Sequence, residues 1–81
     1  MYATIHTHPS YWGSSASDED AEEYAQELAA MVAAKFVGIE IEFAPEDGAD
    51  DDSDQEVRVW MDENWMAAVA AVQDAADIPA F

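Results

Sequence analysis

The sequence predicts an α+β domain in the order β-α-β-β-α, with two helices packed on a small three-stranded, largely antiparallel sheet. Apolar residues recur at helical spacing in two segments and alternate with other residues in two short ones, and a third short segment is rich in strand-favouring residues. The chain has 81 residues, of which 51% are hydrophobic. A chain of this size and composition is expected to form one folded domain, over residues 1–81.

The first strand is predicted over residues 2–8. Thr, Ile and Tyr favour extended backbone there, and Pro9 ends the run. Alternation with period two puts His6 and His8 on the same face of this strand. Residues 9–17 are rich in Ser, Gly and Pro and predict a loop. The strand with which residues 2–8 pair stays open at this point.

The first helix is predicted to begin at Ser17 or Asp18. Ser17 is a favourable N-cap, and Asp20 stands three residues further on as its capping-box partner. Acidic residues crowd the first turns and Lys35 lies near the other end, as the helix dipole favours. The residues predicted to face the core are Tyr24, Leu28, Met31, Val32 and Phe36.

Two more strands are predicted, at residues 37–43 and 56–61, because apolar side chains alternate with others in both segments. We expect them to form an antiparallel hairpin closed by residues 44–56. A loop of that length in a small domain is often functional. One face of the strand at 56–61 would carry Val57, Val59 and Met61.

The second helix is predicted over residues 63–76, with Asp62 as its cap and Pro79 beyond its end. Its inner stripe would consist of Trp65, Val69, Val72 and Ala76. The predicted core of the whole domain contains Leu28, Val32, Ile39, Ile41, Val59 and Val69.

Charge is the strongest functional signal in this sequence. It has 19 acidic and 2 basic residues, for a net charge of -17. Direct binding to nucleic acid or to an anionic membrane needs basic patches, which the sequence lacks. Concentrated like charge costs stability in the free protein. Such a block typically binds cations, keeps a protein soluble in high salt, or meets a basic partner.

Cysteine content and the N-terminus limit the chemistry and the location. No cysteine is present, which excludes disulfide and thiolate chemistry. The first residues have neither the basic nor the apolar region of a signal peptide, and no apolar run is long enough to span a bilayer. We therefore expect an intracellular protein.

One local pattern, H-T-H-P at residues 6–9, looks catalytic because two histidines on one strand face can reach the same metal. With Ser15 and Asp18 it resembles the JAMM metalloprotease signature, at a shorter spacing between Pro9 and Ser15. That resemblance implies zinc held by the two histidines and Asp18. The negative surroundings are expected to raise the pKa of both histidines. A metal-dependent hydrolase is the third-ranked hypothesis.

We expect no catalytic site, no metal site and no cofactor. Residues 50–61 begin like an EF-hand calcium loop but lack its central Gly and its final Glu. No Gly-rich phosphate-binding loop is present either.

The first-ranked hypothesis is an inhibitor that presents carboxylates where a nucleic acid presents phosphates. Acidic side chains three or four residues apart on a helix lie about 5–6 Å apart, comparable to phosphates along a strand. The predicted partner-binding residues are Asp18, Glu19, Glu22, Glu23, Glu27, Glu46, Asp47, Asp50, Asp51, Asp52 and Asp54.

Small size, an apolar core and extreme acidity together make the chain resemble phage-encoded DNA mimics, including anti-CRISPR and anti-restriction proteins. For an anti-CRISPR protein this resemblance implies a location in the host cytoplasm. It also implies a basic partner, the DNA-binding channel of a CRISPR effector complex.

The second-ranked hypothesis is a halophilic interaction protein without DNA mimicry, which also fits acid excess and scarce lysine. The three Trp, the four Met and the clustering of acids in two blocks favour the first hypothesis.

Overall fold

The computed structural model describes residues 1–13 and 16–76, and its element order is β-α-β-α. Its elements are β1 (Tyr2–His6), a 3-10 turn (Pro9–Tyr11), α1 (Asp18–Lys35), β2 (Glu40–Ala44) and α2 (Gln55–Ala76). β1 and β2 pair in parallel, from Tyr2 opposite Glu40 to His6 opposite Ala44. The prediction of a three-stranded, largely antiparallel sheet is therefore wrong, because the described residues form a two-stranded parallel sheet. Helix α1 supplies the crossover that parallel strands require.

The predicted strand at residues 56–61 is instead part of the first two turns of α2. Val57 and Met61, four residues apart, are buried, whereas Val59 between them is 50% exposed. A strand would have put all three side chains on one face, while a helix separates Val59 from the other two. The burial pattern thus follows the helical period and removes the predicted hairpin.

Helix α2 also begins before its predicted start at residue 63. The Asp54 carbonyl accepts the Arg58 N–H at 2.9 Å, which is the first bond of the helical ladder. Asp62, the predicted cap, lies exposed within the helix. Pro79, predicted to follow the end of the helix, lies outside the described residues. The inward-facing residues of α2 are Val57, Trp60, Met61, Asn64, Ala68, Val69 and Val72, at a spacing of one, three or four.

The prediction for α1 is confirmed at its N-terminus. Ser17 Oγ accepts the Asp20 N–H at 3.1 Å, and the Asp20 carboxylate accepts the Ser17 N–H at 3.3 Å. Tyr24, Leu28 and Val32 are buried, as their spacing predicts. Neither α1 nor the described part of α2 is long and apolar enough to cross a lipid bilayer.

The edge of β1 away from β2 is covered by a loop. Asp54 accepts the Tyr2 N–H at 3.0 Å, and its own N–H donates to the Tyr2 carbonyl at 3.0 Å. Ser53 Oγ accepts the Thr4 N–H at 2.8 Å, and the Asp52 N–H donates to Thr4 Oγ1 at 3.1 Å. These groups replace the hydrogen bonds that a third strand would have made.

The core lies between β1 and the two helices, where Ile5, Val32 and Val57 are the largest fully buried side chains. Of the predicted core residues, Leu28 and Val32 are buried, Ile39, Ile41 and Val69 are partly buried, and Val59 is half exposed. Ile41 is less buried than predicted because β2 has a strand neighbour on one side only among the described residues, and Ile39 precedes β2.

Candidate functional site

The predicted partner-binding acids divide into two groups. In the part of the chain that the structure describes, three carboxylates bond to other residues, and we call them the clamped carboxylates: Asp47, Asp51 and Asp54. The others have no ion pair or side-chain hydrogen bond there, and we call them the free carboxylates: Asp18, Glu19, Glu22, Glu23, Glu27, Glu46, Asp50 and Asp52. Glu27 is half-buried and the rest of the free carboxylates are exposed.

Asp51 is held by one of the two basic residues. Arg58 Nε lies 3.4 Å from Asp51 Oδ2, and Arg58 Nη2 donates to the carbonyls of Asp51 at 3.1 Å and Ser53 at 3.2 Å. The Ser53 N–H donates to Asp51 Oδ1 at 2.9 Å. Burial alone would raise the pKa of Asp51, but the Ser53 hydrogen bonds and the Arg58 charge together lower it. Arg58 therefore fastens the segment between β2 and α2, residues 45–54, to the helix; we call this segment the acidic loop.

Asp47 is held by the 3-10 turn. Ser10 Oγ donates to Asp47 Oδ1 at 3.0 Å, and His8 Nδ1 accepts the Ser10 N–H at 3.1 Å. His8 Nδ1 also lies 2.9 Å from Ser10 Oγ and 3.9 Å from Asp47 Oδ1. A catalytic triad would place serine and aspartate at opposite nitrogens of the ring. All contacts here meet Nδ1, so the arrangement is a structural clamp.

The free carboxylates of α1 lie beside this clamp. Asp18 and Glu22 line one groove of about 560 Å³ together with His8 and Pro45. Glu46 follows Pro45, and Asp47 contacts His8. The acidic loop and the start of α1 therefore flank the same groove. The other free carboxylates of α1, Glu19, Glu23 and Glu27, lie on the same helix, which is about 27 Å long.

The structure gathers no group of three or more possible metal ligands among the described residues, and it places the two histidines in different settings. His6 lies on β1 and stacks on Tyr11, with ring centroids 3.8 Å apart and planes 7° apart. His8 lies beyond the strand, as the N-cap of the 3-10 turn. Of the other two residues of the metalloprotease resemblance, Asp18 is the first residue of α1, and Ser15 lies outside the described residues.

The pKa of His6 is lowered, contrary to the prediction. Burial disfavours the charged imidazolium and outweighs the opposing attraction of Asp51. His6 Nδ1 is buried without a hydrogen-bond partner among the described residues. A neutral imidazole is therefore the favoured form of His6 in the folded protein.

An aromatic pocket that the sequence did not predict lies between β1 and α2. It has a volume of about 270 Å³, and its lining includes Tyr11, Trp12, Trp65, His6 and Arg58. The Trp12 indole N–H donates to the His6 carbonyl at 2.8 Å, and Trp12 packs edge-on against Trp65 at 6.1 Å. The aromatic side chains thereby anchor the 3-10 turn and its clamp to the core.

Comparison of the chain with protein families, with curated proteins and with solved structures finds no match.

Proposed function

We propose that the protein is an inhibitor that mimics nucleic acid and occupies the basic DNA-binding cleft of a partner, such as a CRISPR effector complex. The observation that carries this proposal is the set of free carboxylates on α1 and the acidic loop. Within the described residues only Asp51 and Asp47 enter ion pairs. Asp51 pairs with Arg58, and Asp47 pairs with His8 only when that histidine is protonated. The free carboxylates are therefore available to basic groups of another molecule.

The clamped carboxylates support the proposal because they fix the loop. Asp54 bonds to β1, Asp51 to Arg58 and Asp47 to the 3-10 turn. Asp50 and Asp52 stand exposed within this fastened segment. A charge array that is ordered before binding loses less conformational entropy in a complex than a flexible acidic tail does.

The mechanism is competition and involves no chemical step. Long-range attraction between the free carboxylates and a basic cleft speeds encounter, and salt weakens it. Once bound, the protein fills the cleft and excludes the phosphate backbone, whose affinity depends on the same basic groups.

The test compares two variants of equal net charge. The first neutralises free carboxylates, as Glu19→Gln, Glu23→Gln, Asp50→Asn and Asp52→Asn. The control neutralises exposed acids of α2, as Glu56→Gln, Asp62→Asn, Glu63→Gln and Asp74→Asn. Each immobilised protein is incubated with nuclease-treated lysate of the source organism and eluted with duplex DNA.

We expect wild type and the α2 control to release the same DNA-binding protein, and the free-carboxylate variant to retain much less of it. Equal retention by both variants, or no protein that duplex DNA releases, would contradict the proposal.

Salt response separates this function from halophilic solvation. A nucleic-acid mimic folds in dilute buffer, so its unfolding free energy there should be that of an ordinary small domain. A protein whose acidic surface serves solvation at high salt folds only in molar salt. Urea unfolding at low and at molar KCl distinguishes the two outcomes.

A further inference from the structure

The outer edge of β2 is open in the described part of the chain. Glu40 donates its N–H to the Met1 carbonyl at 3.0 Å, and the Ala44 carbonyl accepts the Thr7 N–H at 3.0 Å, so the backbone of both residues faces β1. Backbone groups alternate in direction along a strand. Those of Ile41 and Phe43 therefore face away from β1, where the described residues place no other strand.

The two edges of this sheet are treated differently. The edge of β1 is covered by Asp52, Ser53 and Asp54, as described above. The edge of β2 has no such cover from described residues, and Phe43 beside it is 46% exposed. An uncovered strand edge next to an exposed apolar side chain is a template for pairing with another chain.

We propose that the β2 edge binds an extended basic segment of a partner protein by strand addition. The backbone groups of Ile41 and Phe43 supply the hydrogen bonds. Glu40 and Glu42, both exposed on the opposite strand face from Phe43, select Lys or Arg at alternate positions of the segment. An apolar residue between two basic ones lies against Phe43. Phe43 lines the same groove as the free carboxylates Asp18 and Glu22, so this surface adjoins the proposed nucleic-acid mimic. Its hydrogen bonds come from the backbone of β2 and do not require nucleic-acid mimicry.

Charge decides between a basic segment and a second copy of this chain. Antiparallel self-pairing centred on Ile41 places Glu40 opposite Glu42, and pairing centred on Glu42 places two glutamates directly opposite. Each copy also carries a net charge of -17. The facing glutamates and the net charge of each copy both oppose self-association and favour a cationic strand.

Amide hydrogen exchange measured by NMR, with a short peptide of alternating Lys and Val, tests the proposal. The amides of Ile41 and Phe43 should gain protection when the peptide binds, while that of Glu42, which faces β1, should be protected already. A matched peptide of alternating Glu and Val should not bind. Peptide binding without new protection at Ile41 and Phe43 would show diffuse attraction only and would overturn the proposal.

A pair of substitutions at Phe43 gives a second test. Phe43→Pro removes the outward N–H, which an edge strand tolerates, and should weaken peptide binding about tenfold or more. Phe43→Ala keeps the N–H and should weaken binding less. Equal binding by wild type and Phe43→Pro would contradict the proposal. So would protection of Ile41 and Phe43 that rises with protein concentration in the absence of peptide, because that result indicates self-pairing.

Discussion

Tyr2 and Asp54, 52 positions apart in the sequence, are joined by two hydrogen bonds. The Asp54 carboxylate accepts the Tyr2 N–H, and the Tyr2 carbonyl accepts the Asp54 N–H, both at 3.0 Å. The Asp54 carbonyl in turn accepts the Arg58 N–H that begins α2. One residue thus covers the edge of β1 and starts a helix, so the acidic loop is part of the fold.

Removing the Asp54 carboxylate should therefore destabilise the protein. We expect Asp54→Ala to lower the unfolding free energy by about 1–3 kcal/mol, because a hydrogen bond to a charged group is lost. Asp50→Ala, which removes a free carboxylate of the same loop, should change it little. Urea unfolding measures both. Equal effects would contradict the division between clamped and free carboxylates.

The start of α2 is tested by two valines. Val57 is fully buried and Val59 is half exposed. Val57→Ala should cost about 1–2 kcal/mol because it removes most of a buried side chain. Val59→Ala should be near neutral, since little packing is lost and alanine favours a helix. Comparable losses at both positions would support the strand that alternation predicts.

Arg58 should not be replaceable by lysine. Its planar guanidinium reaches Asp51 and the Ser53 carbonyl together, which a lysine ammonium cannot reproduce. We expect Arg58→Lys to destabilise the protein and to move the pKa of Asp51 upward. NMR titration of the Asp51 carboxyl measures that shift, and an unchanged titration would show that Arg58 does not hold this carboxylate.

His6 should make the protein less stable in mild acid. Its folded-state pKa is lowered from 6.5, so the unfolded state binds more protons as pH falls through this range. The unfolding free energy should therefore fall between about pH 7.5 and about pH 5.5. His6→Phe keeps an aromatic ring beside Tyr11 and should reduce that dependence. If the unfolding free energy of His6→Phe depends on pH as that of wild type does, His6 is not the source of the dependence.

Local signals predicted α1 well, because its capping box and apolar spacing involve neighbours in sequence. Residues 56–61 satisfied both a strand and a helix pattern, and long-range contacts decide between them. The edge of β1 that a third strand would occupy is taken by Ser53 and Asp54. No short-range pattern encodes that pairing.

Part of the candidate site could also be predicted from local sequence, and part of it depends on long-range contacts. Exposure of Glu19, Glu22 and Glu23 follows from their position away from the apolar stripe of α1. The roles of Asp51 and Asp54 depend on β1 and Arg58, so loop composition alone could not predict them. The lowered pKa of His6 likewise comes from burial, which outweighs the attraction of Asp51, and the His6 ring stacks on Tyr11.

Competition with DNA is the decisive test of nucleic-acid mimicry. Fluorescence anisotropy of labelled duplex DNA bound to the purified partner is followed while this protein is added. We expect DNA to be displaced in proportion to the protein bound. The free-carboxylate variant should need about tenfold more protein, and the α2 control should match wild type. A stable ternary complex of partner, DNA and this protein, or equal displacement by both variants, would contradict nucleic-acid mimicry.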